Sequence, residues 1–108
     1  MKSGNLYSKI PVDLTNEFLE VLTEGEGRIR VERIVSRQHA SPPDFWYDQD
    51  STEWILLMSG SAILQFAERD KTTKMIPGDW MEIAPHEKHR VERTSESEDT
   101  VWLAIHWE

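Results

Sequence analysis

The sequence predicts an all-β fold, an antiparallel sandwich or barrel with one short helix ahead of it. Three observations carry that expectation. From Arg28 onward the apolar residues come in short runs rich in β-branched and aromatic side chains, the composition that suits a pleated, half-buried surface. Turn-forming residues separate these runs at close spacing, which is the pattern of antiparallel strands and not of strands alternating with helices. Only the segment ahead of Arg28 shows a helical period.

That segment, "PVDLTNEFLEVLTEGEG", sets Leu14, Phe18, Val21 and Leu22 at the spacing of one helical face, with a stop at Gly25 and Gly27. Thr15 is a candidate N-cap, and Leu14 and Leu19 are placed to staple across it. Residues 1–27 therefore read as an N-terminal extension with a short helix, and residues 28–108 as the barrel of a single domain. The strands expected in that barrel are "RIRVERIVS", "EWILLMS", "SAILQFAE", "KMIP", "DWMEIAP", "HRVERT" and "TVWLAIHW". Their separators are Pro42-Pro43-Asp44, Ser59-Gly60, Arg69-Asp70-Lys71, Pro77-Gly78-Asp79, Pro85 and the acidic run from Ser95 to Asp99, which reads as a solvated hairpin loop. Trp54 to Met58 and Val101 to Ile105 are apolar on both faces. A chain this short has one interior, so the second apolar face predicts a homodimer, with cover by the N-terminal helix as the alternative.

At 108 residues the chain suffices for one core and not for two. A formal net charge of -8 argues against nucleic acid and anionic membranes, both of which require a basic face. Small neutral or cationic ligands and metal ions stay open. The absence of cysteine excludes disulfides, thiolate nucleophiles and Cys-ligated metal. The opening "MKSGNLYSKI" has no apolar h-region and no run approaches the length of a membrane span, so a cytoplasmic protein is expected. "SGS" at Ser59 to Ser61 is not a nucleophile elbow, and no Gly-rich loop opens a helix to cradle phosphate.

With 4 histidines and 20 acidic residues, imidazole and carboxylate ligation is the chemistry most available, suiting Zn, Fe, Mn, Ni or Cu. Three places stand out: Tyr47 to Glu53, the "PHEKH" turn with His86 and His89, and His106. Glu53 carries the sharpest signal. It heads "EWILLMS", where either face of the strand joins it to a row of apolar residues. A carboxylate there needs solvent, a cation or a hydrogen-bond donor, because burying it unpaired is costly.

"EWILLMSG" resembles the end of the first cupin motif, G-x5-H-x-H-x3-4-E-x6-G, with Glu53 and Gly60 at the required separation. "PGDWMEIAPHEKHRV" resembles the second, G-x5-P-x-G-x2-H-x3-N, with Gly78 opening it and His89 in the histidine place. The resemblance implies a jelly-roll β-barrel with an internal pocket toward which Glu53 points. The sequence also departs from the pattern. The two histidine places of the first motif fall on Tyr47 and Gln49, or on Trp46 and Asp48 with the longer spacing. In the second motif Ala84, His86 and Arg93 hold the proline, glycine and asparagine places.

Three completions of the site follow. A divalent metal (Fe, Mn, Zn, Ni or Cu) is held by Glu53, His89 and Gln49, with Tyr47; or His86 or His106 restores a missing imidazole; or no metal binds and Glu53 pairs with His89 and Tyr47 in a polar pocket. The family implies dioxygenase, isomerase or lyase chemistry on a small organic molecule, with Tyr47 or His86 as candidates to move a proton. The alternative is a metal-free module that binds a small metabolite without catalysis. Phe45, Trp46, Tyr47, Trp54, Trp80, Trp102 and Trp107 are candidates to line the cavity or to fill core and interface.

Overall fold

The computed structural model describes residues 1–68 and 71–108. Among these residues eight strands run β1 (Phe18–Gly25), β2 (Ile29–Ser36), β3 (Thr52–Ser59), β4 (Ala62–Phe66), β5 (Lys71–Met75), β6 (Trp80–Ile83), β7 (His89–Thr94) and β8 (Thr100–Trp107). They form a five-stranded sheet of order β1-β2-β8-β3-β6 and a three-stranded sheet of order β5-β4-β7, every pairing antiparallel. The expected turn at Arg69-Asp70-Lys71 falls, at Arg69 and Asp70, outside the described residues, and its Lys71 is the first residue of β5 and not part of a turn.

The expected N-terminal helix is not formed. Phe18 to Gly25 is instead the edge strand β1, paired with β2 from Phe18↔Val35 to Gly25↔Ile29. Its exposure alternates along Phe18 to Leu22 with the period of a strand. The glycines read as a helix stop serve a hairpin: Gly27 and Arg28 take φ of 80° and 59°, so the three-residue loop Glu26 to Arg28 turns the chain straight back into β2. A short helix in this place would have to rest on packing of one face, whereas pairing with β2 satisfies the backbone and leaves Val21 and Thr23 in the conformation that β-branched side chains favour.

The two sheets enclose one core. Ile55, Leu57, Trp102 and Ala104 from the larger sheet meet Ala62, Leu64 and Phe66 from the smaller, with Met75 and Ile83 at the margins. On β3 the register decides which row faces in: Glu53, Ile55 and Leu57 are buried, while Trp54, Leu56 and Met58 point outward and stay half-buried. Trp54 stacks there on Trp80 with ring centroids 5.9 Å apart, and Trp80 remains 63% exposed. The N-terminal segment crosses the outside of the larger sheet as a strap. Buried Arg33 donates from Nη1 to the carbonyls of Leu6 and Ser8, and Tyr7 Oη donates to the carbonyl of Met58. No helix among the described residues is long and apolar enough to cross a membrane.

Candidate functional site

The polar end of the core is built from four strands and one loop. Glu53 is the second residue of β3 and lies opposite His106 of β8 in the register, while Arg30 of β2 lies opposite His106 on its other side. His89 starts β7, where an isolated bridge pairs it with Tyr47: Tyr47 N–H donates to the His89 carbonyl at 2.7 Å and His89 N–H returns the bond at 3.1 Å. The preceding loop is thereby tied to the smaller sheet, and its Tyr47 ring stacks on the His89 imidazole at 5.4 Å. Phe66 lies on His89 at 5.9 Å, and Phe45 meets Tyr47 edge-on.

Glu53, only 8% exposed, stands between two imidazoles. Its Oε1 lies 3.4 Å from His89 Nε2 and its Oε2 lies 3.3 Å from His106 Nε2. A second buried carboxylate, Glu32 at 4% exposure, receives His106 Nε2 at 2.9 Å on Oε1 and Arg30 Nε at 2.7 Å on Oε2. Arg30, Glu32, His106, Glu53 and His89 thus form one chain of alternating charge type, matching each buried carboxylate with a cation or donor.

The hydrogen bonds fix the tautomers. His89 Nδ1 is 2.9 Å from the Glu87 carbonyl, which can only accept, so Nδ1 carries a proton and Nε2 faces Glu53. Burial lowers the pKa of this ring, but the Glu53 hydrogen bond and the Glu87 carbonyl outweigh it, and the net shift is upward from the ordinary 6.5. In His106 the proton belongs on Nε2, donated to Glu32, while buried Nδ1 has no partner among the described residues. Tyr47 is raised above the ordinary 10.0, by burial first and then by Glu17 and Glu53, so its phenol keeps its proton.

These groups line a cavity of about 220 Å³ whose floor is Ile55, Leu64, Val91 and Trp102. Tyr47 and Gln49 are on its wall and Trp46 and Asp48 are not, so the shorter spacing describes the first motif here. His106 also faces the cavity. His86 does not. It adopts φ of 62°, the left-handed turn for which the motif uses glycine, and its largely exposed ring lies 2.7 Å from Asp48 and 3.4 Å from Asp50. Of the aromatic residues considered for the cavity, Tyr47 and Trp102 line it. Arg30, Glu32 and Glu17 were not singled out from the sequence, although all three line the cavity. The available signal was weak: Arg30, Glu32 and Ile34 share one face of β2, but Val31, Arg33 and Val35 form an equally mixed row on the other.

A jelly roll with buried carboxylates and imidazoles facing a cavity between its sheets defines the class, and the chain has the cupin fold. It is similar along its whole length to a protein of Ralstonia eutropha provisionally named a mannose-6-phosphate isomerase: 42% identity, 100% of this chain and 99% of that one covered, TM-score 0.94. The fold is shared with a cupin superfamily protein of Desulfitobacterium hafniense, at 14% identity, 91% and 83% coverage and TM-score 0.71. It is also shared with the polyketide cyclase RemF of Streptomyces resistomycificus, at 18% identity, 86% and 66% coverage and TM-score 0.72. No family model and no curated protein matches the chain.

Proposed function

We propose that the cavity binds a small organic molecule and that Glu53, flanked by His89 and His106, moves a proton on it, as an isomerase requires. The observation that carries this reading is the single buried carboxylate shared by two imidazole Nε2 atoms at 3.4 and 3.3 Å on the wall of the cavity. A base and an acid must act together to shift a hydrogen between adjacent carbons of a hydroxycarbonyl compound. Glu53 takes the proton from the carbon beside the carbonyl. The electron pair passes to the carbonyl oxygen, which takes a proton from the His89 imidazolium to give an enediol; Glu53 then delivers its proton to the former carbonyl carbon as the neighbouring hydroxyl gives its proton to His89, so both groups end as they began. The upward shift of His89 keeps the required acid available. The provisional name of the Ralstonia protein supports the same reaction class.

A divalent metal is the second reading, favoured by His89. Its Nδ1 is held by a backbone carbonyl, the outer support that leaves the opposite nitrogen free to ligate. Two imidazoles and two carboxylates suit such an ion chemically, but no group of three or more His, Asp or Glu among the described residues is arranged to hold one. Glu53, His89 and Gln49 would take it only with some rearrangement, and with His106 released from Glu32. Bound there, the ion would supply Lewis-acid polarisation of a carbonyl oxygen.

We further propose a homodimer formed through the outer face of the larger sheet, where Trp54, Leu56, Met58 and Trp80 leave apolar surface uncovered.

The test follows deuterium uptake from heavy water into free aldoses and ketoses by NMR, beside metal per chain by mass spectrometry. Exchange that falls about 10²–10⁴-fold in folded Glu53→Gln protein is expected. Exchange unaltered by this change would refute the assignment. Near-stoichiometric metal lost in Glu53→Gln would favour the second reading, and binding without exchange the non-catalytic one.

A further inference from the structure

Arg30 stands at the mouth of the cavity. It lines that space and, together with His106, also lines the groove outside it that reaches Asp50 and Glu108. Its side chain is half-exposed, and its guanidinium is pinned from one edge. Nε donates to Oε2 of buried Glu32 at 2.7 Å, while the other oxygen of Glu32 is held by His106 Nε2 at 2.9 Å. Nη1 and Nη2 have no partner among the described residues. A guanidinium carries its N–H donors in one plane, so fixing Nε orients the Nη1–Nη2 edge without consuming it. Glu32 acts here as a positioning residue, and the free edge is the group that can meet a ligand.

Two parallel N–H donors match the two oxygens of a carboxylate. The described wall holds no lysine and no second arginine, so one added negative charge finds a fixed cation, whereas the second charge of a phosphate ester would face Glu17, Glu32 and Glu53. At the rim a carboxylate keeps part of its hydration and avoids the cost of full burial. The register sets the reach. Arg30 and Glu53 lie opposite His106 on its two sides, which puts their backbones two strand spacings apart, about 10 Å. Both side chains reach into the same cavity, so a chain of a few carbons spans from the Nη1–Nη2 edge to Glu53. A space of about 220 Å³, below the roughly 300–1,000 Å³ of drug-sized ligand sites, suits a ligand of that length.

We infer that Arg30 Nη1 and Nη2 receive a carboxylate of the ligand, and that the pocket selects a small hydroxycarbonyl acid over its uncharged counterpart. The carbonyl in this ligand class rests on the proton-transfer reading, and the carboxylate rests on Arg30 alone.

The experiment is calorimetric titration of the full chain with D-glucuronate, D-glucose, D-glucose 6-phosphate and D-glucosamine, one ring bearing a carboxylate, no charge, a phosphate and an ammonium group. D-Glucuronate is expected to bind most tightly, at least about tenfold above D-glucose, the worth of one charge-assisted hydrogen bond. Added salt should shrink that preference by screening a half-exposed cation. Arg30→Gln should abolish it. Arg30→Lys keeps a cation for Glu32 but lacks the planar fork; it should also lose most of the preference, and it serves where Arg30→Gln fails to fold. Equal or tighter binding of D-glucose or of the 6-phosphate overturns the inference. So does tightest binding of D-glucosamine, which would move recognition to Glu17, met on the wall by the neutral Ser36 hydroxyl. A preference unaltered in both variants, or binding of none of the four, overturns it as well. An Arg30-dependent preference for D-glucuronate without deuterium exchange sustains the inference while removing the isomerase reading, and exchange into aldoses with no preference for the acid does the reverse.

Discussion

Gly60 and Gly78 occupy the glycine places of the two cupin motifs, yet their replacement by alanine should have unequal effects. Both have positive φ, 83° and 95°, where a side chain costs about 1–2 kcal/mol. At Gly78 a Cβ would meet nothing within 4 Å, so the conformational cost stands alone. At Gly60 the same Cβ would lie 2.6 Å from Thr100 Cα and 2.9 Å from the Asp99 carbonyl oxygen, besides striking Thr100 Oγ1. Two of those atoms are backbone at the start of β8, so relief requires the β3–β4 turn to move off that strand. Overpacking of this kind typically adds about 1–3 kcal/mol. Gly60→Ala should therefore lose about 2–5 kcal/mol, and Gly78→Ala about 1–2. At about 4 °C per kcal/mol for a domain of this size, the Tm of Gly60→Ala should fall by about 8–20 °C and that of Gly78→Ala by about 4–8 °C. Thermal unfolding by circular dichroism, with urea titration to check that the m-value is unchanged, measures both. Equal losses in the two variants would refute the close approach of Gly60 to β8 as the reason for its glycine.

The remaining predictions concern the site, the strap and the outer face. Because the folded-state pKa of His89 is raised above 6.5, its contribution to stability is complete below that pH and is lost as pH rises through the folded value; urea unfolding from about pH 6 to 9 should show a decline that His89→Gln flattens, and parallel curves would argue against the His89–Glu53 pairing. Arg33→Met removes the donors to Leu6 and Ser8 and the 3.2 Å pair with Glu20. It should cost about 1.5–3 kcal/mol and expose the segment before β1 to limited proteolysis; an unchanged cleavage rate would show that the strap is held by other contacts. Light scattering should give twice the chain mass, reduced to one chain in Leu56→Arg, whereas a wild-type monomer would exclude the dimer.

Most of the fold was legible because strand chemistry is local. The expected runs from "RIRVERIVS" to "TVWLAIHW" correspond to β2 through β8, except that "KMIP" shares only Lys74 and Met75 with β5, and the turn at Pro77-Gly78-Asp79 leads into β6. The error at Phe18 to Gly25 has a definite cause. Leu14, Phe18, Val21 and Leu22 match a helical face by spacing, but the pairing that makes β1 a strand depends on β2, which lies beyond the window in which a period is read. Glu53 and His89 were legible because motif spacing marked them, and they meet at 3.4 Å. Glu32 was not, since a glutamate between Val31 and Arg33 looks like any acidic residue on a mixed strand until His106 is placed against it at 2.9 Å.

By itself the sequence determined the class of fold, the two alternating rows of β3, and the motif spacing that marks Glu53 and His89. Each of these depends on side-chain chemistry and on the two-residue alternation of a strand, which are properties of short stretches. Only the tertiary structure decided that His106 enters the cavity and His86 turns away from it. A histidine at a strand end can face either way, and the choice follows from sheet register at Glu53↔His106 and from the left-handed turn at His86. Register within the larger sheet, and the packing of β7 against it from the smaller one, join Arg30, Glu32, His106, Glu53 and His89 into one chain across β2, β8, β3 and β7. That pairing of charges sets the character of the pocket, and it is a property of strands far apart in sequence and adjacent in space.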